Sequence, residues 1–203
     1  VIWFDRRPAP ELAELAPAKT TVTWPESDDP LDGIDHADGV IAGASIIYDR
    51  SVFDLATKLR VLVRAGIGFD NIVLHDATDA GVAACNTPDG PTISTAEHAL
   101  ALIFSVTKGL KQSENRLQRQ EGNYAPSHNA LELDGARLTL IGLGRIGSRV
   151  AKVAAAAGIH VTAYDPFESD ERFEALGVRR STDLREAVSE AQIVSIHAPL
   201  SSK

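Results

Sequence analysis

The chain has 203 residues, of which 44% are apolar and 24% charged, and its formal net charge is -8. That length supports one large domain or two modest ones, each with its own core. No apolar run is long enough to span a bilayer, and the acidic balance without a basic stripe excludes nucleic acid or an anionic membrane as the main partner.

The first residues, VIWFDRRPAP, lack the basic-then-apolar layout of a signal peptide, so a cytoplasmic location is the expectation. A single cysteine, Cys85, forms no internal disulfide, and no Cys/His spacing suggests a metal site. No methionine occurs anywhere, not even at position 1, which leads to the expectation that this is a fragment of a longer product.

In chain order, VIWF at 1–4, TVTW at 21–24, GVIA at 39–42, RVLV at 60–63 and VAACN at 82–86 read as strands separated by helical patterns. Near-continuous apolar strands alternating with helices indicate an α/β chain with parallel sheets covered on both faces. Between the last two strands lies RAGIGFDNI at 64–72. Gly66 and Gly68 are spaced like the first two glycines of a nucleotide loop, but Asn71 takes the place of the third. What remains is a short nest of backbone N–H groups at Ile67 and Gly68, adequate for a carboxylate, or else a tight turn with no ligand. Arg64 ahead of it serves either an anionic substrate or an ion pair. Cys85 reads as a small buried thiol in its strand.

A domain boundary is expected near residue 92, which divides the chain into 1–92 and 93–203. One long helix is expected from Ser94, with Ser94 as its cap and Glu97 completing a capping box, to a stop near Gly122. Its first half is apolar nearly all round and should be buried on several sides, His98 with it. A polar stretch, GNYAPSHNALELDG at 122–135, follows, in which His128 reads as solvated, like His75 earlier in the chain.

A second series of strands is RLTLIG at 137–142, HVTAY at 160–164, GVRR at 177–180 and QIVSIH at 192–197. Within it, LTLIGLGRIGSRVAKVAAAAGIHVTAYDP places Gly142, Gly144 and Gly147 in a G-x-G-x-x-G pattern between a strand and an Ala-rich helix. The pattern reaches Asp165 at the end of the next strand. In that context it is a dinucleotide-binding fingerprint. Gly142 permits the tight turn, Gly144 lets backbone approach a pyrophosphate, and Gly147 lets the helix lie close to the strand. The N–H groups of Arg145 and Ile146 then face the anion at the positive end of the helix dipole. Asp165 accepts from ribose hydroxyls and repels a 2′-phosphate, which selects NAD over NADP.

RAGIGFDNI, CNTPDG, STAEHALAL, ELDGARLTLIGLGRIG, YDP and HAPL, in this order, resemble the D-isomer-specific 2-hydroxyacid dehydrogenases, with the phosphoglycerate dehydrogenases among the closest in appearance. The resemblance covers residues 60–200; residues 1–59 match only in their alternation of strands and helices. It implies a flavodoxin-like substrate domain plus a Rossmann NAD-binding domain, the latter with four of the usual six strands and so incomplete in this chain. It also implies a homodimer. The activity implied is hydride exchange between NAD and a small 2-hydroxy or 2-keto acid, 3-phosphoglycerate among the candidates. Ile67 and Gly68 match the turn that holds the substrate carboxylate. His197, Ala198 and Pro199 match the loop beside the cofactor.

The arginine, glutamate and histidine of the family's chemistry fall beyond Lys203, so no catalytic residue is expected in this chain and the 203 residues alone should be inactive. Two alternatives share the architecture: an NAD-responsive corepressor-like binding protein, and a formate or phosphite dehydrogenase.

Overall fold

Strands that run the same way need a crossover, and a crossover helix lies against the sheet and covers it. The short apolar runs of this chain, each followed by a helical stretch, build that arrangement twice. A computed structural model describes residues 1–122 and 129–199. It divides into two compact units, Val1–Pro91 and Thr92–Lys203, each with its own buried cluster.

The first unit contains β1 (Ile2–Phe4), α1 (Pro10–Glu14), β2 (Val22–Thr23), β3 (Gly39–Ala42), α2 (Arg50–Leu55), β4 (Val61–Arg64), α3 (Leu74–Asp79) and β5 (Ala83–Asn86). All pairings are parallel, in the order β2-β1-β3-β4-β5. This is the flavodoxin-like order, and it reverses between β1 and β3, so ligands are expected outside the carboxyl ends of these strands. Trp3, Val40 and Leu62 fill the core from three adjacent strands, and the Trp3 indole donates to the Asp32 carbonyl at 2.9 Å.

The expectation of a buried Cys85 is corrected here. β5 is the edge strand of the sheet, and Ala83, Ala84 and Cys85 are exposed. An apolar run reads alike whether it lies inside a sheet or along its margin, because only the neighbours decide which faces are covered.

The second unit contains α4 (Thr92–Thr107), α5 (Leu110–Gln118), β6 (Arg137–Ile141), α6 (Arg145–Ala156), β7 (His160–Tyr164), α7 (Asp170–Leu176), β8 (Arg179–Ser181), α8 (Leu184–Ser189) and β9 (Ile193–Ile196). The strands are parallel in the order β8-β7-β6-β9, the 3-2-1-4 arrangement with which a Rossmann sheet begins. Leu138, Leu140, Val161 and Ala163 form one packed face with Val150, Ala151 and Ala154 of α6. Between them on the opposite face, the Thr139 hydroxyl donates to the Ala187 carbonyl of α8 at 2.8 Å.

The single long helix is also corrected. The helix begins at Thr92, so Ser94 and Glu97 lie inside it, and it stops at Thr107. Gly109 adopts a left-handed φ of 60° and a second helix starts at Leu110. Leu102 and Val106 are 53% and 77% exposed, so α4 is buried along one side only, and His98 lies on its exposed part. α5 ends at Gln118, and Gln120 rather than Gly122 takes the left-handed conformation. His128 lies outside the described residues.

Candidate functional site

β6 ends at Ile141 and the chain must reverse at once to start α6. Gly142 makes that turn at φ 97°, where an L side chain is strained, and its N–H donates to the Tyr164 carbonyl at 2.9 Å. A Cβ on Gly142 would lie 2.8 Å from the His197 carbonyl, and one on Gly147 would lie 2.3 Å from the Gly142 carbonyl oxygen. A Cβ on Gly144 would meet nothing within 4 Å. Two of the three glycines are therefore imposed by the packing of the protein on itself. The third faces open space at the N-terminus of α6, which is the space a phosphate needs.

Gly144 is the N-cap of α6 and contributes no side-chain cap, so the positive end of the helix dipole is left to an outside anion. The residues present therefore suit a dinucleotide.

Asp165, directly after β7, accepts the Leu143 N–H at 2.8 Å on one oxygen and the Phe167 N–H at 2.9 Å on the other. It fastens the glycine turn to the end of β7 and keeps lone pairs for ribose hydroxyls. The following residues, Phe167 to Glu171, carry three carboxylates and no cation, and Phe167 is 95% exposed.

Sequence reasoning missed the support behind this turn. The buried Ser148 hydroxyl donates to the Leu143 carbonyl at 2.7 Å and accepts from Arg172 of α7 at 2.9 Å. Ser148 directly follows the last glycine of the motif, which is a weak signal, whereas nothing local marks Arg172. Ser148→Ala is expected to lower stability by about 1–2 kcal/mol, since it leaves a buried carbonyl without its donor. A thermal melt checks this, and an unchanged midpoint contradicts it.

At the end of β9 the His197 N–H donates to the Ile141 carbonyl at 2.7 Å, and its ring Nε2 lies 2.9 Å from the Ser195 hydroxyl. Burial holds the imidazole below its ordinary value of 6.5. The folded form thus takes up its proton less readily than the unfolded form, and stability contributed by neutral His197 is lost as pH falls through 6.5. In His197→Gln, stability should fall less between pH 7 and pH 5.5 than in the parent, as followed by chemical denaturation at each pH. His98 and His197 line the same groove of about 550 Å³, together with Thr95, Leu102, Val106 and Ser195. Ala198 and Pro199 follow His197 and are exposed.

The first unit carries the other glycine turn. Among the described residues the Ile67 and Gly68 N–H groups have no protein acceptor, while the Ile67 carbonyl accepts from the Asn86 amide at 2.8 Å. Asn71, the residue in place of a third glycine, is buried and donates to the carbonyls of Gly43 and Ile46 at 3.2 and 2.8 Å. It ties the loop after β3 to the turn after β4. Arg64 folds back to donate to the Ala65 carbonyl at 2.6 Å, with its Nε buried, and forms no ion pair among the described residues. His75 is exposed beside Asp76.

Comparison with known proteins adds one family, two relatives and one solved structure. The family described as D-isomer specific 2-hydroxyacid dehydrogenase, NAD binding domain, matches residues 100–203. The D-3-phosphoglycerate dehydrogenase of Bacillus subtilis is 37% identical over 82% of this chain and 31% of its own length. That of Methanocaldococcus jannaschii is 36% identical over 85% and 33%. The structure of the pyruvate reductase of Chlamydomonas reinhardtii superposes with a TM-score of 0.80 at 25% identity, covering 99% of this chain and 61% of that one. The chain thus spans about a third of the length of the curated relatives it matches. No helix among the described residues is long and apolar enough to cross a membrane.

Proposed function

Because the chain belongs to the D-isomer specific 2-hydroxyacid dehydrogenase family, residues 100–203 matching its NAD-binding domain, we propose that it serves as an NAD-dependent oxidoreductase of a small 2-hydroxy acid and the corresponding 2-keto acid. The observation that carries this reading is the glycine turn fastened to Asp165, with open space only at Gly144. Bound NAD supplies the acceptor and donor of hydride. Gly142, Gly144 and Gly147 shape its cradle, Arg145 and Ile146 meet the pyrophosphate, Asp165 takes the ribose hydroxyls, and His197, Ala198 and Pro199 border it. Ile67 and Gly68 hold the substrate carboxylate through their N–H groups, and two copies associate through the NAD-binding unit.

None of the 203 residues is assigned to proton transfer, so this chain by itself binds NAD without turning substrate over. Calorimetric titration tests the first half: NAD should bind at least about tenfold more tightly than NADP, a difference of about 1.4 kcal/mol. Absence of NAD binding overturns the proposal. An NADH oxidation assay on the same chain, with a panel of 2-keto acids that includes 3-phosphohydroxypyruvate, tests the second half. Oxidation above the blank places a catalytic group within these residues.

A further inference from the structure

The charges around the turn at Ile67 and Gly68 bear on which acid it receives. Its neighbours follow from the sheet order, which sets β4 between β3 and β5. The loop after β3, GASIIYD at 43–49, carries one charged side chain, Asp49, which caps α2 by accepting from the Ser51 N–H. A side chain at Gly43 would press on the Asp5 carboxylate, which accepts the Gly43 N–H. Arg64 sets its guanidinium against Gly66 of the turn, donates to the Ala65 carbonyl, and keeps its Nε out of reach of solvent.

Of the other cations at this edge, Arg50 at the start of α2 is paired with Asp54 and Asp79, and two stand farther along the sheet. Arg6 and Arg7 follow β1, two strands from β4, or roughly 10 Å at the usual strand spacing. Arg6 lies 4.0 Å from Asp5, and Arg7 stacks over Trp24 beyond β2. Recognition of a phosphate dianion draws on converging cationic donors, and here one cation, Arg64, stands beside the turn with its guanidinium turned to the Ala65 carbonyl, alongside Asp5, Asp70 and apolar side chains.

The apolar contribution has a shape. A hollow of about 190 Å³ lies against the turn, lined by Phe69, Ile72, Leu74, Ala84, Cys85 and Asn86. Asn86 joins the two, since its amide also donates to the Ile67 carbonyl. An apolar recess disfavours an unpaired charge and favours hydrocarbon.

We propose that the acid held by Ile67 and Gly68 carries an uncharged, hydrocarbon side chain that enters the hollow beside Phe69 and Cys85, and that phosphorylated acids are disfavoured. The proposal rests on the assignment of these two N–H groups to the substrate carboxylate. It is tested by recording amide resonances of the 203-residue chain, loaded with NADH, during titration with glyoxylate, 4-methyl-2-oxopentanoate and 3-phosphohydroxypyruvate.

The branched acid should shift the amides of residues 66–69 and saturate at a concentration at least about tenfold below the phosphorylated acid. Equal or tighter binding of the phosphorylated acid overturns the proposal. If no acid moves these amides, the carboxylate assignment itself has failed, and the proposal with it. Cys85→Phe fills the hollow from an exposed edge strand. It should weaken the branched acid about tenfold and leave glyoxylate, which has no side chain, unchanged. Unaltered binding of the branched acid to that variant places its side chain elsewhere and overturns the proposal.

Discussion

Gly147→Ala is expected to abolish measurable NAD binding and to destabilise the second unit by roughly 1–3 kcal/mol, the usual cost of overpacking a closed site. The new Cβ would lie 2.3 Å from the Gly142 carbonyl oxygen, a backbone atom that cannot swing aside. Relief requires α6 to withdraw from β6 at the very end that faces the anion, so stability and binding should fall together. Gly144→Ala separates the two quantities. Its Cβ meets no protein atom within 4 Å, so its melting midpoint should match the parent while NAD affinity drops, because the methyl group occupies the space of the phosphate. Paired melts and NAD titrations check both variants. Retained NAD affinity in Gly144→Ala would show that the open side of the turn is not where the dinucleotide lies.

Asp165→Ala should weaken NAD by roughly ten- to hundredfold, which corresponds to about 1.5–3 kcal/mol for lost hydrogen bonds to a charged acceptor. Two effects add. The ribose loses its acceptor, and the N–H groups of Leu143 and Phe167 lose theirs, so the turn loosens. Asp165→Asn keeps one carbonyl oxygen and should fall between the parent and alanine. Both variants should discriminate less against NADP, since the charge that repels a 2′-phosphate is gone. Calorimetry with NAD and NADP on the three proteins gives the answer, and an unchanged NAD affinity in the alanine variant removes Asp165 from the ribose.

The NAD turn is legible in the sequence because its signals are local. Three glycines, a strand before them, a helix after them and an acid at the next strand end sit within residues 138–166. Every strand run singled out by its apolar pattern recurs as β1 to β9 within two residues at each end. The misreadings share one cause. The apolar run around Cys85 reads as buried, but its strand lies at a sheet margin. His98 and the first half of α4 read as buried because the segment is apolar all round, but only one side of the helix is packed. The break at Gly109 leaves no mark in the pattern, because the helical period continues on either side of it.

By itself, then, the sequence determined the strand runs, the α/β class, the glycine turn and the acid paired with it. Each depends on residues a few positions apart, through backbone conformation and the periods of helix and strand. Only the tertiary structure decided that Asp165 fastens Leu143, that Arg172 reaches Ser148, and that Asn71 joins two loops. It also decided that Gly147 has no room for a side chain and that the Asp5 carboxylate holds the Gly43 N–H. Those outcomes are contacts between residues more than twenty positions apart, or depend on how closely a helix approaches its strand, and no local pattern encodes a distance that packing alone sets.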